Sequence, residues 1–237
     1  MSRPDKELSW VADGQARFEQ TVMELDDLSG PSRLPGWTRG HVVTHVARNA
    51  EALSRLLTWA RTGIETPMYP SAQARDADIQ SGAARPLLTQ LDDLSSTAAA
   101  FAATAQQLSA DHWAATVGTR HGPVRASWIP WARVRELWLH LVDLDAGQST
   151  ADVQIDAMPV DIATGLVRDL ADWMHTRVAG RIELHSPDSE PVSFGPGSAA
   201  PVLVSGSVQQ LAGWLTGRCT GGQLHAPAGL PSLPPWL

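Results

Sequence analysis

Apolar residues along the first two-thirds of the chain recur at intervals of three and four, the spacing of a buried helical stripe. We predict a first helix over residues 6–28 from this spacing. Leu34-Pro35-Gly36 then interrupts the pattern. Thr38 can cap a second helix over residues 39–62, and Gly63 supplies a C-terminal stop. The opening pattern is therefore helical.

Two more helices follow a long interruption. Residues 67–84 are rich in small and polar types, and we expect them to form an extended loop. Helical spacing returns over residues 87–108, and after an irregular stretch around Gly118 it returns again over residues 128–146. Gly147 supplies the stop for this last helix. Four helices of this length favour an up-and-down bundle with one long crossover loop.

The remaining third of the chain has a different pattern. A fifth helix is predicted over residues 159–178, and residues 181–185 and 191–194 alternate between apolar and polar positions like strands. A third strand over residues 200–204 and a short helix over residues 208–216 complete this part. We therefore predict an α+β fold, with a helical bundle followed by a small α+β domain.

The change in pattern also predicts the domain division. The bundle is assigned to residues 1–150 and the carboxy-terminal α+β domain to residues 151–237. A chain of 237 residues can bury a core of this size.

Composition narrows the classes of function. The formal charge of −7 argues against nucleic acid or an anionic membrane as partner, because a phosphate-rich surface repels a negative protein. No apolar run approaches the roughly 20 residues that a membrane helix needs. The amino terminus has no apolar segment of a secretory signal, and a single cysteine fits a reducing compartment. We expect a cytoplasmic protein and a monomer.

Metal-ligating residues lie at helical spacing on two of the predicted helices. Glu136 and His140 are four residues apart on the fourth helix, so their side chains lie on one face among apolar neighbours. His45 lies on the apolar stripe of the second helix and can face the same interior. Two imidazoles and one carboxylate form a zinc-ligand set that leaves one position open for water or substrate. Asp143, three residues after His140, has two interpretations: it orients an imidazole of this site, or it is an ordinary carboxylate on the helix surface.

Spacing alone leaves other interpretations open. A glutamate and a histidine four residues apart also occur as a surface pair, or as a core histidine with its hydrogen bonds satisfied. His41 is a second candidate ligand on the stripe of His45. It lies in the first turns of its helix, nearer the edge of the bundle, and we therefore favour His45.

Four segments of the sequence carry a family resemblance: PGWTRGHVVTHV (35–46), WARTGIETPMY (59–69), RVRELWLHLVDL (133–144) and the tail over 204–237. The two bundle segments, 35–46 and 133–144, resemble the DinB-like superfamily of metal-binding bundles. The 59–69 loop and the tail are similar to the mycothiol-dependent maleylpyruvate isomerases within that superfamily. Together the segments extend over both predicted domains.

The resemblance implies a fold, a metal and a reaction. It implies a DinB-like four-helix bundle in which His45, Glu136 and His140 bind zinc. The reaction implied is the cis–trans isomerisation of maleylpyruvate to fumarylpyruvate in gentisate degradation, with mycothiol as the thiol cosubstrate. A thiolate that adds to the conjugated alkene makes a single bond, which can rotate before the thiolate leaves. Zinc would deprotonate this thiol.

The substrate of such an isomerase is a dicarboxylate and needs cationic partners. Arg218, in a Gly-Arg pair that matches the family pattern, is expected to bind the substrate and take part in catalysis. Arg75, in the predicted crossover loop, is a second candidate for substrate binding. Cys219 is a competing nucleophile, but no cysteine-enzyme motif surrounds it, and we interpret it as an incidental small residue.

Two alternatives to the isomerase remain at this level. A mycothiol S-transferase would use the same activated thiol to conjugate an electrophile, and an apolar pocket instead of paired arginines would favour it. A non-catalytic zinc-binding regulatory module is the other alternative. Such modules usually use cysteine ligands, and this chain has one cysteine.

Overall fold

The computed structural model describes residues 2–120, 122–144 and 151–236. The chain forms two compact units, Met1–Ala146 and Gly147–Leu237. Long helices make up most of the first unit and a sheet with helices makes up the second, which confirms the predicted α+β class. Among the described residues, no helix combines the length and the apolar character needed to cross a membrane.

The four predicted long helices of the first unit are present. Their bounds are α1 (Asp5–Met23), α2 (Arg39–Thr62), α4 (Leu87–Gln106) and α6 (Ile129–Asp143). Helix α1 contacts α4 and α6, and α2 contacts the same two helices, so the four enclose one core. The first helix ends five residues earlier than predicted, and the predicted stop at Gly147 lies outside the described residues.

The prediction of an extended loop over residues 67–84 was wrong in its second half. Helix α3 occupies Ala72–Gly82, and the side chain of Ser71 caps it by accepting a hydrogen bond from the backbone N–H of Ala74. Only Ile79 and Gly82 of this helix are buried. A helix that buries so few residues leaves no apolar stripe in the sequence, which explains the error.

Helix α3 is held against α2 by two glycines and a buried amide. A methyl group added at Gly40 would lie 2.1 Å from the carbonyl oxygen of Ala83, so the backbones approach too closely for any larger residue. The Gln90 side chain donates to this same oxygen at 3.1 Å and accepts from the Thr44 hydroxyl at 3.1 Å. Gly82 likewise lies against the Thr44 side chain.

The stretch around Gly118, predicted to be irregular, contains a short helix and a hairpin. Helix α5 spans Ala110–Ala114, and the antiparallel strands β1 and β2 span Thr116–Thr119 and Gly122–Arg125. The pattern is weak because Val117 is the only buried residue of the two strands. Val117 packs into an apolar cluster formed mainly by α2 and α4.

The second unit contains a three-stranded sheet and three helices within its described residues. The bounds are α7 (Ala151–Asp156), α8 (Val160–Met174), β3 (Ile182–Ser186), β4 (Ser189–Phe194), β5 (Val202–Ser205) and α9 (Val208–Leu215). The strand order is β4-β3-β5, with β3 antiparallel to β4 and parallel to β5. The short helix α7 was not predicted, whereas the other elements lie close to their predicted positions.

Replacing Gly40 with alanine tests the close approach of α2 and the end of α3. The added methyl meets the backbone of Ala83, so Gly40→Ala should lower the free energy of unfolding by about 1–3 kcal/mol, as expected for overpacking. Chemical denaturation measures this change. Gly180→Ala is the control, because a methyl group there meets nothing within 4 Å. Equal stability of the Gly40 variant and the wild type would contradict the packing described.

Candidate metal centre

Three potential ligands from two helices converge on one point. His45 Nε2 and His140 Nε2 lie 3.0 Å and 3.2 Å from the same atom, Glu136 Oε2. One ligand atom from each side chain lies within 4.8 Å of the other two, and this is the only such group among the residues that the structure describes. The structure thus brings together the three residues that the sequence indicated as ligands.

The local sequence explains how each ligand reaches this point. Glu136 and His140 are one turn apart on α6, so a single helix fixes their separation. His45 comes from α2, which begins at a fixed position because the Thr38 side chain and the His41 side chain form a reciprocal cap.

His41 is part of this cap and not of the cluster. Its Nδ1 accepts a hydrogen bond from the backbone N–H of Thr38 at 3.1 Å, and its Nε2 lies 3.2 Å from Gln80 Oε1. The structure therefore does not place the rival ligand with His45, Glu136 and His140. Trp37 lies against both histidines, with ring centroids 6.0 Å from His41 and 5.6 Å from His45.

Asp143 orients the imidazole of His140. Its Oδ2 atom accepts from His140 Nδ1 at 2.9 Å, and its side chain is 2% exposed. In the metal-free cluster Nε2 donates to Glu136, and a proton held on Nδ1 by Asp143 would leave Nε2 as the nitrogen that binds a metal ion. Of the two interpretations of Asp143, the geometry supports the orienting carboxylate.

The charges of the cluster depend on one another. Burial favours the neutral form of Glu136, but hydrogen bonds from His140 and His45 outweigh it and hold the pKa of this carboxyl well below its ordinary value. Burial also lowers the pKa of His45. For His140 the burial effect is outweighed by hydrogen bonds to Asp143 and Glu136, which raise its pKa to about 9. A proton on His140 thus compensates the carboxylate at neutral pH.

These properties fit a divalent metal ion. Nitrogen and carboxylate donors are ordinary zinc ligands, and a cation between them would supply the compensating charge that the proton on His140 provides. The Glu136 side chain is 28% exposed, against 8% for His45 and 12% for His140, so a ligand can reach the cluster from the side of the carboxylate. The arrangement can hold an ion and still admit a small molecule.

Arg75 lies beside the cluster, although on a helix and not on the predicted loop. Its Nη2 atom is 3.3 Å from His45 Nδ1, and its Nη1 atom donates to Asp76 at 2.8 Å. The docking of α3 on α2 gives Arg75 this position. The guanidinium also lies over the ring of Tyr69, 6.0 Å from its centroid.

Tyr69 was not selected from the sequence. It is the only tyrosine of the chain, and burial raises the pKa of its phenol, so the hydroxyl keeps its proton at neutral pH. A hydrogen bond with Arg75 and the charge of Glu136 also act on this phenol. Its place at the end of the 59–69 segment was the available signal, but a lone aromatic residue in a loop does not indicate a site.

Arg218 and Cys219 belong to the second unit. Arg218 is half-buried just after α9, and its Nη1 atom donates to the carbonyl oxygen of Thr216 at 3.0 Å. Cys219 is 8% exposed, and a methyl group added at Gly213 would lie 2.7 Å from its sulfur atom. The thiol of Cys219 therefore packs against α9, as expected for a small core residue.

Comparisons with known proteins match both units. The family model described as the mycothiol maleylpyruvate isomerase N-terminal domain matches residues 11–145. A crystal structure of the mycothiol-dependent maleylpyruvate isomerase is similar to the whole chain, with 30% identity, 100% of each chain covered and a TM-score of 0.87. A crystal structure of a histidine-to-alanine mutant of that isomerase gives 29% identity, full coverage and a TM-score of 0.86. No curated protein matches the sequence.

Removing each histidine of α2 separately tests the ligand assignment. His45→Ala deletes one of three ligands, so we expect the purified protein to lose its bound metal and keep its helix content. His41→Ala removes the helix cap and the contacts with Gln80 and Trp37. Loss of the cap lowers stability by about 0.5–2 kcal/mol, and metal content should be unchanged because His41 lies outside the cluster. Elemental analysis and circular dichroism measure the two properties. Full metal occupancy in His45→Ala would show the assignment to be wrong.

Proposed function

Because the chain belongs to the mycothiol maleylpyruvate isomerase family, we propose that it is an enzyme converting maleylpyruvate to fumarylpyruvate with mycothiol as its thiol. We further propose that His45, Glu136 and His140 hold a zinc ion, and that the reaction serves gentisate degradation. The observation that carries the proposal is the convergence of the three ligands within the segment that the family model matches.

The reaction changes the geometry of a carbon–carbon double bond that does not rotate unaided. A thiolate sulfur adds to one alkene carbon, and the electron pair of the double bond moves toward the conjugated carbonyl oxygen. Rotation about the resulting single bond is then free. The electron pair returns, the carbon–sulfur bond breaks and the trans product leaves with the thiolate regenerated. No atom is gained or lost, so the protein needs no redox partner.

The metal, when bound, supplies the positive charge that keeps a thiol deprotonated at neutral pH. The residues of the chain prepare this site. Asp143 fixes the orientation of His140, and Trp37 covers one side of His45. A buried Cys219 agrees with a nucleophile that comes from outside the protein.

The substrate carries two carboxylates and needs cations beyond the metal. Arg75 is supported as one of them because its guanidinium lies 3.3 Å from a ligand imidazole. Arg218 is proposed as a second, and as a catalytic residue that stabilises the negative charge formed on thiolate addition. Its support is chemical: an arginine fork binds a carboxylate through two parallel hydrogen bonds, and the Gly217-Arg218 pair matches the family pattern.

A mycothiol S-transferase would place the same thiolate next to an electrophile without carboxylates. The guanidinium of Arg75 beside His45 favours an anionic substrate and therefore the isomerase. A regulatory zinc module without activity is set aside, because the chain belongs to a family of enzymes.

Dependence on an added thiol tests the proposed mechanism. Maleylpyruvate turnover followed by absorbance should require mycothiol and should be absent without thiol, with glutathione as the comparison. Cys219→Ser should retain most of the activity, since its thiol is packed in the core. A Cys219→Ser protein that keeps its fold and zinc but has no activity would assign the nucleophile to the chain instead.

The two arginines are tested by their effect on catalytic efficiency. A hydrogen bond to a charged group contributes roughly 1.5–3 kcal/mol, so Arg75→Ala and Arg218→Ala should each lower kcat/KM by about one to two powers of ten. Arg218→Lys should recover only part of the loss because lysine lacks the planar fork. Arg181→Ala, which removes an exposed arginine bonded to Ser193, is the control. Wild-type turnover by Arg218→Ala would remove this residue from the site.

A further inference from the structure

A buried arginine lies one turn before the glutamate ligand on α6. Arg133 is 1% exposed, and its guanidinium donates to three neutral acceptors: the carbonyl oxygen of Val46 at 2.7 Å, Asn49 Oδ1 at 3.0 Å and Gln15 Oε1 at 2.9 Å. Within residues 2–120, 122–144 and 151–236, no carboxylate is within ion-pair distance of it. The hydrogen bonds of the guanidinium therefore go to neutral groups, while the carboxylates of Glu136 and Glu19 act on its charge from a greater distance.

Stability does not account for this arrangement. Burial lowers the pKa of Arg133 to about 10, so the group is still charged at neutral pH. Removing a charge from water is costly, and an apolar residue of similar volume in such a position is often as stabilising or more so. We therefore ask which parts of the bundle the three hydrogen bonds of Arg133 connect.

The acceptors show what the guanidinium connects. Val46 directly follows His45 on α2, Arg133 precedes Glu136 by three residues on α6, and Gln15 lies on α1. Gln15 in turn donates to Glu19 at 2.8 Å, and the Ser95 hydroxyl of α4 donates to the same carboxylate at 3.0 Å. One hydrogen-bond network thus joins all four helices of the bundle.

The hydrogen-bond network affects the position of His45 more than the positions of Glu136 and His140. Glu136 and His140 are separated by one turn of a single helix, so the helix itself fixes their spacing. His45 comes from a different helix, and its distance from Glu136 depends on how α2 is placed against α6. Arg133 bonds to the backbone carbonyl next to His45 and therefore controls that placement directly.

We infer that Arg133 is a positioning residue of the metal centre, which ties the His45 segment of α2 to the Glu136 segment of α6. The inference rests on the proposed metal-binding function. It predicts that loss of the guanidinium weakens metal binding more than it weakens the fold. Groups that orient metal ligands from outside the coordination sphere typically contribute 10- to 100-fold to metal affinity.

The test compares two arginine deletions in the full-length chain. Arg133→Met should weaken zinc binding by about 10- to 100-fold, measured by competition with a chelator of known affinity, while helix content stays unchanged. Arg48→Met is the matched control, because the Arg48 side chain bonds to Asp93 of α4 and to Glu51 of α2 and, among the described residues, to no group of α6. Its zinc affinity should stay within about twofold of the wild type. Equal zinc affinity of Arg133→Met and Arg48→Met would overturn the inference.

Two further variants distinguish the geometry of the Arg133 hydrogen bonds from the effect of its charge and from a failure to fold. Arg133→Lys keeps a cation but cannot donate in one plane to Val46, Asn49 and Gln15, so it should bind zinc nearly as weakly as Arg133→Met. Full affinity in Arg133→Lys would overturn the role of the fork. If Arg133→Met does not fold, Asn49→Ala replaces it in the test, because Asn49 accepts one of the Arg133 hydrogen bonds. A lowered zinc affinity and an altered visible spectrum of the cobalt-loaded variant would support the positioning role of Arg133. Unchanged affinity and spectrum would refute it. Wild-type protein that binds no zinc would instead refute the metal centre itself.

Discussion

Glu136 carries a carboxylate into the core side of a helical bundle, and its neighbours must compensate the charge. Burial favours the protonated acid, yet two imidazoles on the same oxygen hold the group ionised. Because one imidazole comes from α2, the compensation also requires α2 and α6 to meet at this point. The reciprocal cap at the start of α2 and the contact of Asp143 with His140 both serve that meeting. The ionised form of one side chain therefore depends on how α2 and α6 pack around it.

The sequence predicted the parts of this arrangement that follow from local periodicity. The apolar stripes predicted the long helices. The spacing of four residues predicted Glu136 and His140 as a pair, because residues four apart lie on the same face of a helix. The choice of His45 over His41 followed from depth along α2, and the structure adds the physical reason, since His41 is used as a cap. The role of Arg218 and the division of the chain at residue 150 stay predictions.

Other parts depend on tertiary contacts that leave little trace in a sequence. Helix α3 buries two residues and is held by a close backbone approach at Gly40, so its sequence has the pattern of a loop. Arg75 lies beside His45 because α3 is docked in this way, and Tyr69 lies against Arg75. The sequence does not single out Arg133 among the other arginines, because nothing in its neighbours along the chain shows that acceptors from two other helices surround it.

The three proposed ligands, the carboxylate bonded to one of them and the arginine beside another all come from residues 45–143, inside the first unit. A donor set that lies within one unit does not draw a side chain from the sequence of the other. Substitutions in the sheet and helices of the second unit therefore change none of these donors. The two parts of the chain can then accumulate substitutions at different rates over evolution.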